Sequence, residues 1–193
     1  VNLNTNHKVF AKGILSIPTG GTMIVGNQTS GNGTADMKVF EGGVINIEGG
    51  ALQVDDQFIV YSGGTFTMTS GELRVHHYGE GTEYKLLNPA NFGITAGALG
   101  GVSGGTLRIC GRGSADGFHA LTIMEPSFDF TGSSSIVFEH GLSATHYDAG
   151  IYLVNGVEIQ HLQIYKPGNT VYIRSNASIH GNLTIDPNAS VEV

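Results

Sequence analysis

The sequence predicts an all-β chain wound as a single-stranded, right-handed parallel β-helix, a β-solenoid of roughly 21 residues per coil with three short strands in each. Three observations carry this expectation. The stretch from Asp36 to Val75 superposes on itself with a shift of 21 residues, so that Met37 falls on Phe58, Val39 on Val60, Ile45 on Phe66, Ile47 on Met68, Leu52 on Leu73 and Val54 on Val75. The glycines coincide in the same register, Gly42 and Gly43 on Gly63 and Gly64, and Gly50 on Gly71. Each strand reads apolar-x-apolar, which sends two side chains inward and the one between them to water.

The reason a coil follows is one of length and hydrogen bonding. A strand of three to five residues can neither bury a face nor satisfy its backbone alone, but stacked about 4.8 Å from an equivalent strand it does both. The 30 glycines, far above an average share of about 7 %, fall largely at the corners between strands. A β-sandwich is the competing all-β reading, and the short unit with register held over three strands argues against it. Right-handedness rests on the general preference of parallel crossovers.

Taken in order, Leu15, Ile17, Met23 and Val25 are expected on Met37, Val39, Ile45 and Ile47 at a shift of 22, with Gly20 and Gly21 on Gly42 and Gly43. After Val75 the register breaks and is expected to resume at Gly104 and Gly105 with Leu107 and Ile109, with one coil hidden in between. Leu121 and Ile123, Phe128 and Phe130, and Ile136 and Phe138 then reproduce the three strands of the central unit. Finally Leu162 and Ile164 repeat as Leu183 and Ile185 at a shift of 21, and Val171 and Ile173 as Val191 and Val193 at a shift of 20. The whole chain, 1–193, reads as one domain, with loop excursions near 26–34, 76–103, 111–119 and 141–150.

Composition narrows the function classes. Only 13 % of residues are charged, the formal net charge is −7, and the nine Lys and Arg are scattered, which argues against nucleic acid and anionic membranes as partners. Cys110 is the sole cysteine and reads as a small buried thiol at a strand end, so no internal disulfide supports the fold. No signal peptide or transmembrane run is read, and membrane insertion is not expected. The strand-like Val1 to Val9 and Ser190 to Val193 carry no polar cap, so the expectation is a mature product or an excised part of a longer polypeptide, stacked on flanking coils or on a second copy end to end.

Candidate chemistry is sparse. Asp55 and Asp56 form an adjacent acidic pair that can serve a glycosidase-type reaction only from a turn, since neighbours on a strand point to opposite faces. They are read as a corner. The eight histidines show no His-x-x-x-His pair, so neither a metal nor another cofactor is expected. The excursions gather the candidates for contact with carbohydrate: His76, His77, Tyr78 and Tyr84 in the second, Phe118 and His119 in the third, and His146, Tyr147 and Asp148 in the fourth. Five Asn-x-Ser/Thr sequons, at Asn27, Asn32, Asn176, Asn182 and Asn188, also suit solenoid corners, where Asn is favoured for its turn chemistry.

The Gly-Gly-x-Ile-x-Ile and Gly-x-Leu-x-Val units at Gly42 to Val54, their counterparts at Gly63 to Val75, and the run Asn182 to Ser190 resemble the repeats of large bacterial secreted β-helix proteins, the autotransporter passengers and type IX-secreted surface adhesins. The resemblance is one of repeat style over most of the chain. It implies a right-handed parallel β-helix of pectin lyase-like type, export and display at the cell surface, without fixing an activity. The catalytic Asp, His and Arg pattern of the pectin-cleaving relatives is not recognisable. The expected function is a non-enzymatic extracellular stalk or adhesin, whose partners are surface glycans or other cell-surface proteins. The alternative is a carbohydrate-binding module, or a polysaccharide lyase or glycoside hydrolase, using the surface bordered by the excursions.

Overall fold

The computed structural model describes residues 2–3, 9–26, 35–76, 91–111, 119–141 and 148–193. Among these there is no helix, and every strand pairing is parallel. Two long sheets carry the chain. In the larger, strands follow one another in the order Asn2–Leu3, Thr22–Val25, Val44–Val54, Thr65–Val75, Thr106–Ile109, Ser135–Glu139, His161–Tyr165 and Leu183–Ile185, with Ile14–Pro18, Leu99–Val102 and Asp129–Phe130 alongside. The smaller runs from Val9–Ala11 through Met37–Val39, Phe58–Val60, Phe92–Ile94, Leu121–Ile123, Ala149–Leu153 and Thr170–Ile173 to Ser190–Glu192. The chain alternates between the sheets and returns each time one strand further along, which gives a solenoid-like stack.

The apolar columns lie between the sheets. Ile45 pairs with Phe66, Leu52 with Leu73 and Leu162 with Leu183, as the sequence predicts, and Leu107 pairs with Leu73 on one side and Ile136 on the other. The middle is aromatic: Phe58 stacks on Phe92 with ring centroids 5.6 Å apart, and Phe66 meets both edge-on. Phe66 also stacks on Phe128 at 6.4 Å, although the strand of Gly100 lies between their own strands. Two strand spacings amount to about 9.6 Å, so the rings lean together over a position with no side chain. Gly100 has a φ of 113°, and a Cβ there would run into the Phe66 carbonyl.

Four expectations are corrected. Val44–Val54 and Thr65–Val75 are single strands of 11 residues, so the second and third strands of these coils are continuous through Gly49–Gly50 and Ser70–Gly71, and the corner there is a bend within the ladder. Leu15 and Ile17 pair with Ile45 and Ile47, and Met23 and Val25 with Leu52 and Val54, an offset of 30 or 29 rather than 22. Gly21 accordingly sits under Gly50, accepting a hydrogen bond from the Ala51 N–H. The coil expected to be hidden between Val75 and Gly104 is present, with Phe92–Ile94 paired to Phe58–Val60 and Leu99–Val102 to Thr65–Met68, but Thr106–Ile109 is its third strand, paired with Glu72–Val75, and not the resumption of the repeat in a new coil. Ala149–Leu153 begins inside the excursion 141–150.

The last described coil differs from the rest. Leu183 and Ile185 are 47 % and 41 % exposed, whereas Leu162 and Ile164, one strand earlier in the same columns, are fully buried.

Candidate functional site

One corner of the stack holds most of the buried polar side chains. It follows the last large-sheet strand of each coil, at Gly26, Asp55, His76, Cys110 and Glu139, and precedes the small-sheet strand. In sequence, 27–34, 77–90, 112–118 and 142–147, which lie outside the described residues, each follow this corner. Three coils pass it directly, through 166–169, 186–189 and Asp55-Asp56-Gln57, the last with all three residues buried.

The acidic pair sits in a bend, as a shared role would require, yet neither carboxylate faces a groove. Asp55 and Asp56 are 4 % and 3 % exposed, and the Asp55 carboxylate folds over Gly26, where any Cβ would collide with it. Asp55 N–H bonds to the Val25 carbonyl and Asp56 N–H to that of Ala35, which ties this corner to the coil below. His76 lies above, its Nε2 4.0 Å from Asp56 Oδ1 and its N–H donating to the Asp56 carbonyl. Burial pushes its pKa down to about 4, opposed by its backbone hydrogen bond and assisted by the charge of Lys166. The imidazole is therefore neutral at pH 7. Its φ of 54° is the one left-handed backbone among described non-glycine residues.

Lys166 closes the same corner further along. Its side chain is buried, and Nζ donates to the carbonyls of Glu139, at 3.1 Å, and Cys110, at 3.3 Å. Burial lowers its pKa to about 8. Cys110 is buried at the end of its strand, as expected, and burial together with the Glu139 carboxylate pushes its thiol up to about 12. A thiol held protonated in this way is a poor nucleophile.

Of the carbohydrate-contact candidates, His77, Tyr78, Tyr84, Phe118, His146 and Tyr147 lie outside the described residues. His76 is buried in the corner. Asp148 is spent on structure, since its Oδ1 accepts the Thr170 N–H at 2.7 Å and lies 3.4 Å from Asn169 Nδ2. His119 is half-buried with its ring 5.6 Å from that of Tyr152. Among the described residues no group of His, Cys, Asp and Glu is arranged to hold a metal ion.

The sequence reading missed a second polar locus. Tyr152 and Tyr172 occupy outward positions of successive small-sheet strands, and the Arg174 guanidinium lies 4.4 Å from the centre of the Tyr172 ring. Just beyond them is a cavity of about 280 Å³ lined by Asn155, Val157, Glu158, Asn176, Ala177 and Ser178 among others. The cavity arises because the ladder opens here. The Leu153 N–H donates to the Ser175 hydroxyl at 2.7 Å instead of to a carbonyl, and Glu158–Ile159 and Ser178–Ile179 pair as a separate two-stranded sheet. The Glu158 carboxylate is 3.1 Å from His180 Nε2. An outward Tyr recurring in Ile-Tyr-Leu and Val-Tyr-Ile was the available signal.

Comparison with protein-family models, with curated proteins and with solved structures gave no match to this chain.

Proposed function

We propose that this chain is a non-enzymatic, extracellular or cell-surface module, a right-handed parallel β-helix of about 21 residues per uninterrupted coil that serves as a rigid stalk or adhesin in the style of bacterial secreted surface proteins. The observation that carries the reading is the unbroken run of parallel pairings from the first strand of the large sheet to the last. A ladder of that length with a continuous apolar column resists bending, and rigidity along one axis is what a spacer needs. Partner separations of 21 at Ile45 and Phe66 and at Leu162 and Leu183 support the coil length, and the longer separations fall where 27–34, 77–90, 112–118 and 142–147 intervene.

Polar side chains on the outside support display in water. Thr67 donates to Asn46 Oδ1 at 2.7 Å, Thr170 and Ser190 hydroxyls are 2.8 Å apart, and Arg108 bridges Glu72 and Glu139 at 2.6 and 2.8 Å. These are side-chain ladders between coils. The exposed Leu183 and Ile185 would take a further coil, from the same polypeptide or a second copy. Surface glycans or other cell-surface proteins are the partners this reading expects, and neither nucleic acid nor membrane insertion belongs to it.

Small-angle scattering combined with assays for reducing-sugar release and for unsaturated uronates on a polysaccharide panel tests the reading. A rod-like cross-section with no product from any polysaccharide is expected. Turnover of one of them would replace the stalk with a lyase or hydrolase.

A further inference from the structure

We infer that the cavity between 155–158 and 176–178, just past the Leu153–Ser175 hydrogen bond, is a binding subsite for one neutral pyranose ring of a glycan. The proposal rests on the reading of the chain as a displayed module and names what that module would hold. At about 280 Å³ the cavity falls just below the range of about 300–1,000 Å³ typical of small-molecule sites, which suits a single sugar ring better than a longer ligand.

Its lining has the two characters a pyranose presents. Asn155 and Asn176 each offer a donor and an acceptor, Ser178 adds a hydroxyl and Glu158 a carboxylate acceptor, all matched to ring hydroxyls. Val157 and Ala177 supply apolar surface for the C–H face. The rim continues this division. Arg174 precedes Asn176 by two residues, a reach of about 7 Å along an extended chain, and is stacked on Tyr172. With Tyr152 on the neighbouring strand, this gives a flat platform on which a second sugar can stack. Glu158 in the lining and the net charge of −7 disfavour an acidic sugar or a phosphate.

Saturation-transfer NMR and calorimetry with the methyl glycosides of glucose, galactose, mannose and N-acetylglucosamine, and with methyl glucuronide as the charged comparison, read the site directly. At least one neutral glycoside should bind. Asn176→Ala and Ser178→Ala, both in the lining, should weaken it about tenfold each, the loss that follows from leaving one polar partner unpaired. Tyr165→Ala, which removes an exposed aromatic on the other sheet, should leave it unchanged. Unaltered melting temperatures would show that the variants fold. The inference is overturned if none of the neutral glycosides binds, if methyl glucuronide binds more tightly than all of them, or if the three variants behave alike. Failure here in a rod-shaped protein without turnover removes the subsite and leaves the stalk. Turnover with binding intact does the reverse.

Discussion

Two corners of the same coil solve one problem in opposite ways. Between the second and third strands the chain bends through a column of glycines, Gly21, Gly50, Gly71 and Gly105, so closely stacked that a Cβ on Gly105 would lie 2.6 Å from the Gly71 carbonyl oxygen. Between the third strand and the small sheet it turns through buried polar side chains, with Lys166 donating to two backbone carbonyls, His76 set against Asp56, and Asp55 folded over Gly26. The first corner has no room for a side chain at these glycines, and in Val44–Val54 and Thr65–Val75 one strand runs through it with a local shift of register. The second is held by side chains, and all four segments of extra length follow it in the chain. Length can be added to a solenoid where polar side chains help to close the corner, because the turn there does not depend on backbones stacked at glycine distance.

The largest test of this contrast is Gly71→Val. The residue has a φ of 91°, and a Cβ would strike the Gly50 carbonyl, so both strain and overlap apply. A loss of about 4 kcal/mol or more is expected by chemical denaturation. If Gly71→Val unfolds with a loss under about 1 kcal/mol, the glycine corner is not sterically closed.

The polar corner should show itself through pH. His76 titrates near 4 when folded against 6.5 when unfolded. The unfolded chain therefore binds the proton more readily, so the His76 contribution is flat above pH 6.5 and is lost as pH falls towards 4. The loss is roughly 3 kcal/mol. His76→Asn keeps a residue that tolerates the left-handed backbone and should flatten this part of the stability profile. An unchanged slope in the variant would place the acid sensitivity elsewhere.

Lys166→Met retains the apolar stem and removes the donor to the Glu139 and Cys110 carbonyls, for an expected loss of about 2 kcal/mol at pH 7. Because the folded pKa lies near 8, below the unfolded 10.5, stability should rise from pH 8 to pH 9 in a Cys110→Ala background, which removes the opposing ionisation of the unfolded-state thiol near 9. Lys166→Met in that background should lack that rise. The smallest effect belongs to the outer face beside the polar corner. Arg108→Met breaks two partly exposed ion pairs and should cost under about 1 kcal/mol, less in high salt.

The stacking was legible in the sequence wherever coils follow one another without added length. Ile45 and Phe66, or Leu162 and Leu183, fall in register because nothing intervenes. The N-terminal register was not legible, for a physical reason. All three strands of a coil carry the same apolar-x-apolar pattern, so Leu15 and Ile17 match Met37 and Val39 as well as they match Ile45 and Ile47. Only the spacing sets the phase, and 27–34 changes the spacing. The same ambiguity made Gly104 and Gly105 read as the point where the repeat resumes, when Gly105 stacks on Gly71 within a coil that begins at Phe92.

The candidate site was less legible still. Aromatic and acidic residues were sought in the excursions, where sequence irregularity is obvious. Tyr152, Tyr172 and Arg174 sit on regular strands at outward positions, and the cavity beside them is produced by a local loss of pairing that no residue pattern announces.

The stacking itself is most directly tested by a cross-link chosen to separate the two registers. In a Cys110→Ala background, Ser16→Cys with Asn46→Cys places two thiols on adjacent paired positions of parallel strands, within the Cα separation of about 4.4–6.8 Å that a disulfide accepts. Mild oxidation of the monomer should leave no free thiol. Retention of both thiols there, with ready closure of Ser16→Cys to Lys38→Cys instead, would contradict the fold described.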